Sequence, residues 1–98
     1  MRGKHKTFDS VIRTEEREKD GIGYKYKLIM KESLGVASYG IPLYSIDVEM
    51  NQGNGKTTSA TATDLFADAG RAINFFERIV DNLATPIDLA YIVEDEMS

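Results

Sequence analysis

The sequence predicts an α+β domain in which a four-stranded antiparallel meander sheet is followed by two helices packed on one face. Three observations predict this class. Apolar residues alternate with a period of two over residues 7–64, which is typical of strands with one buried face. The dipeptides Asp20-Gly21 and Asn54-Gly55 favour tight hairpin turns between such strands. In the C-terminal third the apolar spacing changes to three and four residues, as in amphipathic helices.

The alternation is clearest in the second and third of the four predicted strands. The strands are expected near residues 7–18, 23–32, 38–50 and 56–64. Their predicted buried face carries Tyr24, Tyr26, Leu28, Met30, Tyr44, Ile46, Val48 and Met50. Their predicted outer face carries Lys25, Lys27, Ile29, Lys31, Leu43, Ser45, Asp47 and Glu49. The first strand contains TEEREK, which has little to bury, so its pairing with the second stays open.

The first helix is predicted within DAGRAINFFERIVDNLA. Asp68 is expected to cap its N-terminus, since a carboxylate there accepts hydrogen bonds from free backbone N–H groups. One helical stripe, expected to face the sheet, contains Ala69, Ala72, Ile73, Phe76, Ile79, Val80 and Leu83.

The second helix is predicted from TPIDLAYIVEDEM. Thr85 and Asp88 have the spacing of a capping box, with Asp in place of the usual Glu, and Pro86 suits the first helical position. The residues expected to face the core are Ile87, Ala90, Tyr91 and Val93.

Length and composition limit the possible classes of protein. Ninety-eight residues suffice for one domain, so we expect a flexible basic arm at 1–6 and a single domain at 7–98. The net charge of −4 opposes non-specific nucleic-acid binding. The absence of cysteine excludes disulfides and thiol chemistry. The basic start MRGKHK is not followed by an apolar stretch, and no apolar run is long enough to span a membrane, so a cytoplasmic location is expected.

The segment NQGNGKTT contains Gly55-Lys56-Thr57, which resembles the end of a phosphate-binding loop. The first glycine of such a loop should stand at position 50, which is Met50. The loop should also lead into a helix, whereas TTSATAT is rich in β-branched residues and favours a strand. The segment is therefore predicted to be a hairpin turn.

No other motif predicts catalysis, a cofactor or a metal ion. His5 is the only histidine and lies in the terminal arm, where it is a poor general base. Asp47 and Glu49 share a strand face, where two carboxylates have the spacing for acid–base chemistry or cation binding. Pairing with Lys25 or Lys27 explains them more simply. The chain is predicted not to be an enzyme.

The leading hypothesis is a small non-enzymatic interaction module, an adaptor or regulator that binds another protein or itself. Apolar residues interrupt the charged outer face of the sheet and favour a contact surface there. This candidate surface consists of Lys25, Lys27, Ile29, Tyr39, Leu43 and Asp47. Leu43→Glu is expected to weaken binding or dimerisation without unfolding the domain. The alternative is nucleic-acid binding through the basic arm and the lysine row of the second strand. The net charge opposes it, but a local basic patch can outweigh the total charge.

Two short motifs resemble a family of small proteins of unknown function found in clostridia and related Firmicutes. The first is SYGI at residues 38–41, and the second is the helix motif Thr-Pro-x-x-Leu that begins at Thr85. The resemblance covers residues 22–97. It implies a bacterial, cytosolic, single-domain protein and no catalytic residue, cofactor or substrate.

Overall fold

The computed structural model describes residues 7–33 and 42–97. Four strands come first and two helices follow. The elements are β1 (Thr7–Lys19), β2 (Ile22–Ser33), β3 (Pro42–Asn51), β4 (Thr57–Phe66), α1 (Ala69–Asp81) and α2 (Pro86–Met97). The strands form one antiparallel sheet in the order β1-β2-β3-β4, so the predicted fold class is confirmed. The predicted arm at 1–6, with His5, lies outside the described residues, and the domain bounds stay a prediction.

The first hairpin pairs β1, the least apolar strand, with β2. β1 pairs with β2 along its whole length, with one shift in register between Val11 and Arg13. Asp20 and Gly21 have φ angles of 55° and 80°, the positive values that a two-residue turn between twisted strands requires. The charged strand is therefore a full member of the sheet.

The second hairpin contains the segment that resembles a phosphate-binding loop. The backbone N–H of Gln52 donates to the carbonyl of Lys56 across the turn at 3.0 Å. Gly53 and Gly55 have φ angles of 83° and 85°, which favour glycine. The chain then enters β4 rather than a helix, so the hairpin prediction is confirmed.

A bulge near the end of β4 redirects the chain toward α1. Tyr44 lies opposite Phe66 and Ile46 lies opposite Ala62, so β4 carries extra residues between these two pairs. Asp64, within this stretch, has a φ of 54°. Its backbone N–H donates to the buried hydroxyl of Ser45 at 3.0 Å, which holds the bulge in place.

The core lies between the helices and one face of the sheet. Five of the eight residues predicted for the inner face of β2 and β3 are buried hydrophobics. Phe75, which the predicted α1 stripe omitted, is also buried, and Ala69, which it included, is exposed. The complete buried cluster is Tyr26, Leu28, Tyr44, Ile46, Val48, Phe66, Ala72, Phe75, Phe76, Ile79, Val80, Ala84 and Leu89.

Both helices begin at the caps that the sequence predicts. The carboxylate of Asp68 accepts from the Arg71 N–H at 3.0 Å. In α2 the Thr85 N–H donates to the Asp88 carboxylate at 3.1 Å, and the Asp88 N–H donates to the Thr85 hydroxyl at 3.2 Å. This reciprocal pair is a capping box, which fixes the start of α2 at Pro86.

The predicted core-facing side of α2 is wrong for three of its four residues. Ile87, Ala90 and Tyr91 are exposed, and only Val93 packs against the core. Leu89 is buried in their place. Both sides of this helix carry apolar residues, so spacing alone does not determine which side faces the sheet.

Candidate interaction surfaces

The predicted contact residues of β2 and β3 lie on one face of the sheet, opposite the helices. They alternate with the buried residues Tyr26, Leu28, Ile46 and Val48 along the two strands. All five are half-buried, namely Lys25, Lys27, Ile29, Leu43 and Asp47. The sixth predicted residue, Tyr39, lies outside the described residues.

The lysines of this outer face stand next to acidic residues. Lys25 lies opposite Glu16 of β1 on one side and Glu49 of β3 on the other. Lys27 lies opposite Asp47. Opposite charges at facing positions of neighbouring strands attract, so these carboxylates partly offset the charge of the lysine row, without an ion pair to Lys25 or Lys27 among the described residues.

A shallow cleft of about 260 Å³ lies between the same strands and β4. Its lining includes Lys27, Asp47 and Thr61. One carboxylate oxygen of Asp47 is buried there and accepts no hydrogen bond from another residue of the described chain. The cleft is small, and its polar lining consists of charged residues of β2 and β3 together with Ser59 and Thr61 of β4.

An apolar strip crosses the outer face near the other end of the strands. Val11 lies opposite Ile29, and Leu43 lies diagonally across from Ile29, opposite Lys31. Val11 is 54% exposed, whereas Ile29 and Leu43 are half-buried. The strip is therefore present, but only its β1 end is widely open to solvent.

The most exposed apolar side chains of the described residues lie on α2. Ile87 is 75% exposed and Tyr91 is 68% exposed. They are four residues apart, so they lie one above the other on the same helix face. Ala90 lies beside them and is exposed, and the acidic residues Asp88 and Glu94 flank the stripe. We call this the α2 outer stripe (Ile87, Ala90 and Tyr91).

Contacts to distant residues hold α2 in the rotation that exposes this stripe. The hydroxyl of Tyr26 donates to the carbonyl of Ala84, just before the helix, at 2.9 Å. Near the C-terminus, Glu96 forms ion pairs with Arg78 at 2.8 Å and with Arg71 at 3.8 Å. Leu89 packs into the core between these two anchors.

Sequence reasoning missed the α2 outer stripe because it assigned the same residues to the core. One available signal is the run Leu89, Ile92 and Val93, which also has helical spacing and does pack against the core. The next residue on this side of α2 is Glu96, whose charge suggests a solvent-facing side. That charge is compensated by arginines of α1, which the local sequence around α2 does not show.

The inner side of β1 is charged. Arg13 and Arg17 donate to the two carboxylate oxygens of Glu15, each at 3.1 Å. Arg13 also contacts Glu77 of α1 at 3.2 Å. The hydrogen bond from Arg13, and to a smaller extent the one from Arg17, lowers the pKa of Glu15. These contacts join the edge strand to the first helix.

Residues 5–98 match the model of a protein family of unknown function, DUF6514. The chain belongs to the DUF6514 family. This confirms the expected membership in a family of unknown function, while the clade and the motif details stay predictions. Searches of the curated proteins and of the solved structures found no match to this DUF6514 chain.

Two further properties concern the described part of the DUF6514 chain. Within residues 7–33 and 42–97, neither helix combines the length and the apolar character needed to cross a membrane. The same residues contain no group of three or more histidine, aspartate or glutamate side chains placed to hold a metal ion.

Proposed function

We propose that this DUF6514 domain is a non-catalytic adaptor or regulator of the cytoplasm that binds a partner protein through the α2 outer stripe. The observation that carries the proposal is the exposure of Ile87 and Tyr91 on the helix side away from the core. Single exposed apolar residues are normal, but a large aliphatic and an aromatic residue one turn apart form a contiguous patch. Tyrosine is also among the residues that contribute most to protein interfaces.

The charges around the stripe indicate what the partner carries. Asp88 and Glu94 flank the apolar residues, and both are exposed. A segment with lysine or arginine beside apolar side chains complements this pattern in charge and in hydrophobicity. The proposed partner surface is therefore a cationic amphipathic segment of another protein.

The outer sheet face supports a contact surface less strongly than sequence reasoning predicts. Ile29 and Leu43 are half-buried, and the lysines beside them face carboxylates. The same compensation of Lys25 and Lys27 reduces support for the nucleic-acid alternative, which stays a prediction. The α2 outer stripe is thus the surface we favour.

Site-specific cross-linking in the host cell tests the proposal. The photoreactive amino acid p-benzoylphenylalanine replaces Tyr91, with Leu43 as the competing site and the exposed loop residue Gln52 as the control. We expect a product at position 91 in which the attached peptide carries cationic and apolar residues. A product at position 43 instead, or an attached peptide without cationic residues, would show that the α2 assignment is wrong.

The affinity for that partner supplies the quantitative prediction. Tyr91→Ala should weaken binding about tenfold, because loss of a central aromatic contact costs more than about 1 kcal/mol. Leu43→Glu is the matched variant on the sheet face and should leave the affinity within about twofold. Titration calorimetry at two salt concentrations measures both, and binding should weaken as salt rises. Equal affinities for the wild type and Tyr91→Ala would contradict the proposal.

A further inference from the structure

The edge of the sheet formed by β4 has the features of a strand that can pair with β4 of a second copy. β4 is the last strand in the sheet order, so no described strand pairs with its outer side. The bond from the Gln52 N–H to the Lys56 carbonyl makes these two residues a hydrogen-bonded pair. Hydrogen-bonded and non-hydrogen-bonded pairs alternate along an antiparallel ladder. Thr57, Ser59 and Thr61 therefore direct their backbone N–H and C=O groups away from β3.

This edge lacks the features by which sheet edges avoid pairing. From Thr57 to Thr63 the strand contains no charged residue and no proline. β1, the opposite edge, contains seven charged residues and the register shift between Val11 and Arg13. Charges and bulges discourage a further strand, so β1 is protected, whereas residues 57–62 of β4, which precede its own bulge, are not.

The segment of β4 is complementary to itself when it is reversed about Ala60. In an antiparallel pair centred there, Ser59 faces Thr61 of the second copy, and Thr58 faces Ala62. Hydroxyl and β-branched residues at facing positions stabilise neighbouring strands. In this register Ser59 and Thr61 of the second copy form a hydrogen-bonded pair, and the backbone groups of both residues point away from β3. The backbone hydrogen bonds and the facing side chains therefore favour the same register.

Charge complementarity at both ends selects the same register. Beyond the regular ladder, the reversal brings Lys56 to the end of the pair where Asp64 of the second copy lies in its bulge, and the two-fold symmetry produces this arrangement twice. Lys56 and Asp64 are exposed, and neither forms an ion pair with another residue of the described chain.

The helix layer leaves the inner face of β4 partly uncovered. On the inner face of β4, Thr58 is exposed, and Ala60 and Ala62 are only half-buried. These small residues would meet their counterparts in the second copy. The two-fold axis then runs perpendicular to the sheet, so the helices of both copies lie on the same side.

We propose that two copies of this chain pair antiparallel through β4, centred on Ala60, to form one continuous eight-stranded sheet. The contact uses the edge of the sheet and does not depend on the α2 outer stripe. Sedimentation equilibrium should give about twice the chain mass at sub-millimolar concentration. A monomer throughout that range would overturn the proposal.

Single cysteines test the register directly, because the chain contains none. In the proposed dimer Ala60 faces Ala60 as a non-hydrogen-bonded pair, with Cα atoms about 4.5 Å apart, within the range for a disulfide. Ala62 is the matched control on the same face, and its two copies would be about 13 Å apart. Under mild oxidation Ala60→Cys should form a disulfide dimer about tenfold faster than Ala62→Cys, or more. Equal rates would overturn the register.

A pair of charge variants tests the contact without cysteine. Ser59→Lys with Thr61→Lys places like charges opposite each other across the dyad and should shift the sample to monomer. Ser59→Glu with Thr61→Lys changes the same two positions but places opposite charges across the dyad, and it should remain a dimer. If both variants dimerise equally, the contact lies elsewhere and the proposal is wrong.

Discussion

Arginine side chains cover the aromatic rim of the core. Arg71 lies over Phe66 at 4.9 Å, and Arg78 lies over Phe75 at 5.4 Å. The rings of Phe66 and Phe75 meet edge to face with their centroids 5.4 Å apart. The guanidinium groups attract the ring faces while their aliphatic stems shield apolar surface from water. Exposed cations on α1 therefore contribute to packing as well as to charge.

Tyr26 joins the sheet to the connection between the helices, and its hydroxyl carries the first prediction. Tyr26→Phe removes the hydrogen bond to the Ala84 carbonyl, leaving a buried acceptor unpaired. Urea unfolding at neutral pH should show a loss of about 1–3 kcal/mol in the free energy of unfolding. Tyr91→Phe is the matched control at an exposed position and should leave this free energy unchanged.

The same residue gives the protein a dependence on alkaline pH. Burial raises the pKa of Tyr26 from 10.0 to about 12 in the folded state. The unfolded chain therefore releases this proton first, and the stability present below pH 10.0 is lost as the pH rises to about 12. Tyr26→Phe should lose less stability than the wild type across this window. Parallel pH profiles of the two proteins would contradict the assignment.

At the scale of the element, α2 shows that two sides of a helix can be equally apolar. Its caps define where it begins, but they leave its rotation about its own axis undetermined. Leu89 is 2% exposed, whereas Ile87, two residues earlier, is 75% exposed. The choice between the two sides comes from contacts with Tyr26 and with the arginines of α1.

Truncation of two neighbouring residues measures this rotation. Leu89→Ala should lower the free energy of unfolding by about 2–5 kcal/mol, because it leaves a cavity in the core. Ile87→Ala should change it by no more than about 0.5 kcal/mol, because the side chain is exposed. Urea unfolding of both variants provides the comparison. A larger loss for Ile87→Ala would show that the other side of α2 faces the sheet.

At the scale of the whole molecule, strands and helices of very different composition pack around one hydrophobic core. Its buried residues come from β2, β3, β4, both helices and the connection between them, with none from residues 9–19, the part of β1 whose side chains are described. β1 is held instead by its ladder with β2 and by Arg13, which pairs with Glu77 and lies over Phe76 at 5.5 Å. The sheet thus has one covered face, one open face and two unlike edges.

The shared core predicts one cooperative unfolding transition. Far-ultraviolet circular dichroism follows the helices and the sheet, and fluorescence follows tyrosine, since the chain contains no tryptophan. Both signals should change at the same urea concentration, as in a two-state domain. Transitions at different urea concentrations would show that the domain does not unfold as one cooperative unit.

The sequence predicts the candidate surfaces less completely than it predicts the fold. Alternation correctly brings Lys25, Lys27, Ile29, Leu43 and Asp47 to one face. It also favours pairing of Asp47 and Glu49 with these lysines, and the register confirms that they lie on facing positions. It does not show that Glu16 of β1 faces Lys25, because this depends on the register of the first hairpin. It also assigns Ile87 and Tyr91 to the core, although their side of α2 is exposed.

By itself, the sequence determined the element order, both hairpin turns, both helix caps and the inner face of the central strands. These features depend on residues a few positions apart, such as Asp20 with Gly21 or Thr85 with Asp88. Only the tertiary structure decided the rotation of α2, the bulge at Asp64 and the position of Glu16 opposite Lys25. Their physical cause lies in contacts between distant segments, as between Tyr26 and Ala84, which local periodicity does not encode.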